Sequence, residues 1–402
     1  MGSLLYDLFA ALIYQANGEA MASVAMLLLD DTVVCMGRKC HAKTFLWWAG
    51  ISLPLPPLPP ASSSHGQARE APSEREARAE ASRDRASSRA ALFSGRQVPT
   101  PPPPRRLPYR SLTLCLLLRW WSSETVAVVT GASRGIGYEI SRQLAVQGLC
   151  VVLAARDLDR GCAAAYGLRA EGLNVQFRKL DVTHADSVQE FAKWIGDEYG
   201  GLDILVNNAG ANFNTGANNS VEFAEEVIAT NYLGTKLMIE TMIPMMRPSP
   251  NGARILNTSS RLGRANGRRN RVGDVALREK LMNDDCLSEE LIDGMVANFL
   301  RQVKEGTWAS NGWPQVFTDY SISKLAVSVF TRLISRKLAN RPGDHKIYIN
   351  CYCPGWVKTA MTGWEGNSTA EEGADTAVWV VLLPSQLVTS GKFFAERHEI
   401  SF

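Results

Sequence analysis

Residues 125–137 read TVAVVTGASRGIG, and the reading of this stretch decides the fold. Thr125–Thr130 is a short run dominated by apolar and β-branched residues, the texture of a strand buried on both faces. It runs directly into Gly131-Ala132-Ser133-Arg134-Gly135-Ile136-Gly137 and then into a helical pattern. Glycines at such a junction permit a tight turn, let backbone approach a pyrophosphate, and let the helix pack close to the sheet. The helix N-terminus adds free N–H groups and positive potential. Gly131, Ser133, Arg134, Gly135, Ile136 and Gly137 are therefore expected to line a phosphate site.

Working outward, the next strand, LCVVLAA from Leu149, ends at Arg156, about where a dinucleotide fold meets the adenosine ribose. A carboxylate there binds a ribose 2′-OH, whereas a guanidinium suits a 2′-phosphate through charge-assisted, often bidentate bonds. Arg156, with Arg134 as a second cation, favours NADP(H); neighbouring Asp157 keeps NAD(H) open, and Arg156 as a solvated helix-start residue is the bland alternative. A third strand, NVQFRKL, delivers Asp181-Val182, and a fourth, LDILV, delivers Asn207-Asn208-Ala209-Gly210. Helical stretches at 158–171 and 185–199 separate them. Repeated alternation of strand and helix predicts an α/β fold, a doubly wound parallel sheet whose ligands bind beyond the strand C-termini. Asp181 is expected to contact the adenine through its carboxylate, with Val182 beside it, ordinary turn chemistry being the bland alternative. Asn208, Ala209 and Gly210 either leave backbone close to the cofactor or serve ordinary turn chemistry.

In the second half, a predicted helix at 220–240 contains Asn231-Tyr232-Leu233-Gly234, and the strand ARILNTS ends at Ser259-Ser260 before Arg261-Leu262-Gly263. The pentapeptide Tyr320-Ser321-Ile322-Ser323-Lys324 follows after a long gap. On a helix its phenol and ammonium share one face. A free tyrosine is a poor acid-base catalyst at neutral pH, and a fixed cation nearby favours the phenolate and pulls the pKa down. A further strand, KIYINC, leads to Cys353-Pro354-Gly355-Trp356-Val357-Lys358-Thr359.

As a set, these segments resemble the short-chain dehydrogenase/reductase family, with TGxxxGxG, NNAG, SxxG, YxxxK and PG in the family's order from about Trp120 to the C-terminus. The resemblance implies a single Rossmann-type domain over residues 120–402. It implies Tyr320 as general acid for carbonyl reduction, Lys324 as the cation that lowers its pKa and binds the nicotinamide ribose, and Ser260 as the hydroxyl that orients the carbonyl. Ser260 is preferred to Ser259 because it stands in the SxxG register ending at Gly263. Asn231 matches the residue that holds a water in the proton relay. Thr359, after the Pro354-Gly355 turn with Val357, matches a position at the nicotinamide carboxamide. The expected activity is NADPH-dependent reduction of a ketone or aldehyde on an apolar small molecule, reversible as alcohol oxidation. An NAD-linked alcohol dehydrogenase and a non-catalytic NADP(H)-binding scaffold are the alternatives, and the intact Asn231, Ser260, Tyr320 and Lys324 set counts against the scaffold.

Residues 261–319 form an insertion between serine and tyrosine. It opens with Arg261, Arg264, Arg268, Arg269 and Arg271 and continues into a helix with Leu291, Ile292, Met295, Val296, Phe299 and Val303 at helical spacing. Ser288 before Glu289-Glu290 is its expected N-cap. This pattern is similar to the long-insertion, carbonyl-reductase-like subgroup, including plant salutaridine reductase and menthone/neomenthol reductases, and it implies a monomer whose extra helix covers the usual association face. Phe213, Leu262, Trp356 and Trp364 are expected near the substrate, unless they belong to the core.

The chain has 402 residues, 46% hydrophobic and 21% charged, the composition of a soluble globular protein. A net charge of +3 argues for neither a nucleic-acid nor a membrane partner. The arginine tract lacks interleaved aromatics and reads as a solvated loop. Residues 1–119 differ in texture: apolar runs cut short by charge or proline, then a Ser/Ala/Arg/Glu/Pro tract that predicts disorder. No run reaches the length of a membrane span. An Arg/Ser-rich leader invites organelle targeting, but Asp30, Asp31, Glu70, Glu74, Glu76, Glu80 and Asp84 oppose it, and a cytoplasmic protein is expected. The 8 cysteines show no disulfide or CxxC framework, and Cys35, Cys40 and His41 lack a second half for zinc, so no metal is expected.

Overall fold

The computed structural model describes residues 119–214, 219–268 and 270–402, together with two short strands at 32–35 and 38–41. The chain divides into two units, Met1–Leu114 and Cys115–Phe402. In the first, Thr32–Cys35 pairs antiparallel with Arg38–His41, Thr32 standing opposite His41. The remaining expectations for the leader, including its disorder and the side chains of Cys35, Cys40 and His41, lie outside the described residues, as does Arg269 of the arginine tract.

The second unit is built on one sheet. Its strands are β1 (Val126–Thr130), β2 (Cys150–Ala155), β3 (Val175–Lys179), β4 (Ile204–Asn207), β5 (Ala253–Thr258), β6 (Ile347–Tyr352), β7 (Phe393–Ala395) and β8 (His398–Ile400). Their spatial order is β8-β7-β6-β5-β4-β1-β2-β3. All neighbours are parallel except β7 and β8. The doubly wound sheet expected from the sequence is thus present. β1 lies between β2, with Val126 opposite Cys150, and β4, with Ala127 opposite Ile204. That is the point where strand order reverses and where such sheets open a crevice. β1, β2 and β4 are buried along their whole length, which is why they read as unbroken apolar runs.

Helices cover both faces. Side chains of α1 (Gly135–Val146), α2 (Leu158–Ala170) and α9 (Ala370–Val381) share one buried cluster with β1 and β2. The other face carries α3 (Ala185–Tyr199), α4 (Ala224–Ile228), α5 (Gly234–Met242), α7 (Glu289–Lys304) and α8 (Thr318–Lys337), with α6 (Val275–Met282) at its margin. The helix anticipated at 220–240 is interrupted: residues Ala229–Leu233 form a π-turn between α4 and α5. Such bulges widen one turn and often mark functional positions.

The insertion folds onto the second face. Ser288 caps α7 by accepting the Leu291 N–H at 3.2 Å, and Ile292, Met295, Val296 and Phe299 are buried. Trp313 meets Phe299 edge-on at 5.4 Å, and its indole N–H donates to Gln302. Polar contacts fix the helix as well: the Tyr232 hydroxyl donates to Asp293 at 2.6 Å, and Lys236 bridges Glu289 and Asp293 at 2.7 Å each. At the other end of the sheet, Arg254 is 2% exposed and stacks between Trp120 and Tyr348, 4.6 Å from each ring centroid. Its guanidinium donates to the carbonyls of Asn251, Gly252 and Leu383, so this buried charge leans on backbone dipoles and ring faces instead of a carboxylate, and its Nε is left without a hydrogen-bond partner.

Candidate active site

The glycine loop is shaped by close approach. Gly131 adopts φ +64°, and a Cβ on Gly137 would lie 2.4 Å from Asn208 Nδ2 and 2.6 Å from the Gly131 carbonyl oxygen. α1 therefore starts tight against β1 and β4, and Arg134 at its N-cap makes no side-chain cap. Its first N–H groups at Gly135, Ile136 and Gly137 point along the helix axis toward the crevice, as a pyrophosphate requires. Thr130, which the sequence reading passed over, locks this junction: its hydroxyl accepts the N–H groups of Asn208 and Ala209, both at 3.0 Å. Asn208 spends its amide on the carbonyls of Thr130 and Gly131, so its side chain holds the loop in shape. Thr359 closes the same loop from the far side, its methyl group 3.5 Å from where a Gly135 Cβ would be. The segment that carries it turns at Gly355, φ +89°, after Pro354, and buries Val357 to 2% exposure.

Beyond the ends of β2 and β3 lies a cavity of about 780 Å³, lined among others by Arg156, Arg178, Lys179 and Asp181. Arg156 is exposed toward it. Asp157 is engaged elsewhere: it caps α2 through the Arg160 N–H at 3.0 Å and accepts from the Arg160 guanidinium at 2.6 Å. Arg160 first, with Arg134 adding, holds the Asp157 carboxyl below the usual range. Asp181 is committed to Thr183, accepting from its N–H and hydroxyl. Burial alone would raise its pKa, but those bonds and His184 bring it below the ordinary value. Val182 is buried beneath it, in contact with Gly234.

At the C-terminal ends of β4 and β5 the remaining residues converge. Tyr320 and Lys324 lie one turn apart on α8, the Lys324 Nζ 5.5 Å from the Tyr320 ring centroid. Lys324 is 3% exposed and donates to the Thr258 carbonyl at 2.8 Å. The two serines separate cleanly. Ser259 is buried and tied to α8 through the Lys324 carbonyl and the Ser328 hydroxyl. Ser260 caps the short turn Arg261–Gly263 through the Leu262 N–H and sets its hydroxyl beside the Tyr320 phenol. Asn231 sits in the π-turn, fully buried, exchanging hydrogen bonds with both backbone groups of Ala211 and donating to Ser323. Gly210 fits between Asn231 and Lys324, where a Cβ would lie 3.2 Å from one and 3.6 Å from the other.

The chain's own groups do not lower the phenol pKa, contrary to the expectation from spacing. Although the Tyr320 side chain is partly exposed, desolvation around the phenol pushes its pKa above the ordinary value, with Cys353 adding and the Ser260 hydroxyl opposing. Burial also brings the Lys324 ammonium down to about 8, with Cys353 opposing. Loss of water is the largest cause of both shifts. Phe213 is 44% exposed, Trp356 43% and Trp364 68%, and Leu262, in the turn that Ser260 caps, is half-buried. Phe223, which carries no sequence signal, stacks on Phe213 with centroids 4.7 Å apart.

Residues 125–272 match the family model for short chain dehydrogenase. Carbonyl reductase [NADPH] 1 of Mus musculus is 38% identical over 267 residues, 65% of this chain and 92% of that protein. Short-chain dehydrogenase/reductase 1 of Saponaria officinalis is 38% identical over 299 residues, 68% of this chain and 95% of that protein. The chain belongs to the short-chain dehydrogenase/reductase family. Among solved structures, salutaridine reductase from Papaver somniferum superposes with a TM-score of 0.60 at 36% identity, covering 67% of this chain and 99% of its own. Menthone neomenthol reductase from Mentha piperita gives 0.57 at 30%, covering 68% and 99%. The oxidoreductase is thus flanked by relatives on either side of the plant and animal divide. No helix among the described residues is long and apolar enough to cross a membrane, and they hold no cluster of three or more His, Cys, Asp or Glu suited to a metal ion.

Proposed function

We propose that the protein reduces a ketone or aldehyde on an apolar small molecule with NADPH, and runs in reverse as an alcohol dehydrogenase. The observation that carries this reading is the convergence of the Tyr320 phenol, the Ser260 hydroxyl and the Lys324 ammonium where β4 and β5 end. NADPH, when bound, supplies the hydride for the carbonyl carbon. Tyr320 gives its phenolic proton to the carbonyl oxygen; a phenol that burial keeps protonated at neutral pH suits a donor. Ser260 donates to the same oxygen and orients it, and the Lys324 ammonium stabilises the phenolate that remains. Asn231 serves the proton relay through the backbone of its widened turn, because its side chain is committed to Ala211 and Ser323.

The glycine loop, where an added Cβ at Gly137 would meet backbone, fits a pyrophosphate, and Arg134 with Arg156 fits a ribose 2′-phosphate. Asp157, already paired with Arg160, is poorly placed to take a free 2′-OH, which favours NADP(H) over NAD(H). The relatives named for NADPH agree with this choice. The insertion supports a monomer, since α7 occupies the face formed by α5 and α8; a stable dimer in sedimentation equilibrium would refute that part. A screen of aldehydes and ketones with NADPH tests the whole reading, and cofactor binding without turnover of any carbonyl would leave a cofactor-binding scaffold.

A further inference from the structure

Asp319, one residue before Tyr320, is 1% exposed and has no cationic partner among the described residues. Its Oδ1 accepts the Asn214 side-chain amide at 2.7 Å and the Tyr320 backbone N–H at 2.7 Å. Burial raises its pKa above the ordinary carboxyl value, with those two bonds opposing. A buried carboxyl without a cation is costly, and this one is held in the first turn of α8 by its two hydrogen bonds.

Asn214 is itself buried, 3% exposed, and also accepts the Ser220 N–H at 2.7 Å. One residue away stands Phe213. Its chain position is fixed from both sides: Ala211 exchanges two hydrogen bonds with Asn231, and Asn214 is bonded to the neighbour of Tyr320. With successive Cα atoms about 3.8 Å apart, Phe213 is confined to the rim of the catalytic centre. It belongs to no buried cluster, and it stacks on Phe223, 38% exposed. Two stacked, solvent-facing rings at a cleft form an apolar surface that gains by being covered.

We propose that Asp319 and Asn214 are a positioning pair that holds the Phe213–Phe223 stack against the Tyr320 end of α8, and that this stack selects ring-bearing carbonyl substrates over open-chain ones. The proposal rests on the reductase reading. The two links are direct: Asp319 shares one oxygen between the catalytic helix and Asn214, and Asn214 orients Phe213. Because both bonds to Asp319 are accepted by one oxygen, an asparagine there keeps them, whereas an aspartate at position 214 sets carboxyl against carboxyl.

The test compares acetophenone with 2-octanone, equal in carbon count, in the native protein and in Asn214→Ala, Asn214→Asp and Asp319→Asn. Native protein is expected to favour acetophenone in kcat/KM. Asn214→Ala and Asn214→Asp lower that preference about fivefold, the worth of one aromatic stack, through KM for acetophenone with kcat little changed. Asp319→Asn keeps the preference, because its side-chain oxygen still accepts both bonds. A preference that Asn214→Ala leaves intact, or that Asp319→Asn loses while remaining folded by circular dichroism, overturns the proposal. Calorimetric binding of the same two ketones in the presence of NADP⁺ gives the ratio without turnover. If no protein turns over a carbonyl, the reductase reading fails, and the binding ratio still decides for or against the pair.

Discussion

Gly263→Ala should damage stability and catalysis together, because the SxxG turn lies directly on the catalytic helix. A Cβ on Gly263 would stand 2.4 Å from the Lys324 carbonyl carbon, 2.6 Å from its oxygen and 2.7 Å from the Leu325 nitrogen. All three atoms are backbone of α8, so no rotamer change relieves them; the turn and the helix must separate by about an ångström. Overpacking of that kind costs about 1–3 kcal/mol. At roughly 2–4 °C per kcal/mol for a domain of this size, the melting temperature falls by about 2–12 °C. The same displacement carries Ser260 away from the Tyr320 phenol, and misplacement by about an ångström costs on the order of 100-fold in rate. Thermal melts followed by circular dichroism, paired with steady-state NADPH oxidation, read both effects. Gly294→Ala is the control. It lies inside α7 with nothing within 4 Å of the added carbon, so it should raise stability by about 0.5–1 kcal/mol and leave the rate alone. If Gly263→Ala melts with the native protein and turns over at the native rate, the contact between the turn and α8 is not what sets the site.

Two further outcomes follow from charge. Burial holds Lys324 at about 8 against 10.5 for an ordinary lysine, so between those values the unfolded chain binds more protons than the folded one. Stability must then rise with pH across that window, by about 3 kcal/mol over its whole width. The native-minus-Lys324→Met difference in urea unfolding, measured at about pH 8 and about pH 10, should grow in favour of the native protein; a flat difference would contradict the assignment. Arg156→Ala should weaken NADPH by roughly 10- to 100-fold, as loss of a charge-assisted phosphate contact does, and leave NADH almost unchanged. Equal loss for both cofactors in fluorescence titration would remove Arg156 from the 2′-phosphate.

Much of this was legible in the sequence, and what was not has identifiable physical reasons. The strand, glycine loop and helix at 125–137 announce the crevice because β1 is buried on both faces and its glycines answer to backbone contacts at Gly131 and Gly137. Ser260 was separable from Ser259 by register, since only a serine three residues before Gly263 caps the turn that Gly263 lets pack on α8. The π-turn around Asn231 left no trace, because it inserts no glycine or proline and breaks no apolar period. Nor did the β7–β8 hairpin, whose turn places Glu396 and Arg397 at φ 52° and 57° where glycine or asparagine would have given the signal. Asp319 and Asn214 meet across 105 residues of chain, a pairing that no local pattern encodes. The desolvation that raises the Tyr320 pKa leaves no mark in the Tyr320–Lys324 spacing, which reveals the cation and not the loss of water.

The most direct test of the central claim is carbonyl-dependent oxidation of NADPH by the full chain beside its Tyr320→Phe variant. Removing the phenolic oxygen deletes the proton donor while leaving the glycine loop and the arginines untouched. The expected result is turnover of at least one ketone or aldehyde by the native protein, a loss of at least about 100-fold in kcat for Tyr320→Phe, and NADPH binding within about twofold of native. Turnover that survives the substitution, or tight NADPH binding with no carbonyl reduced by the native protein, would contradict the account.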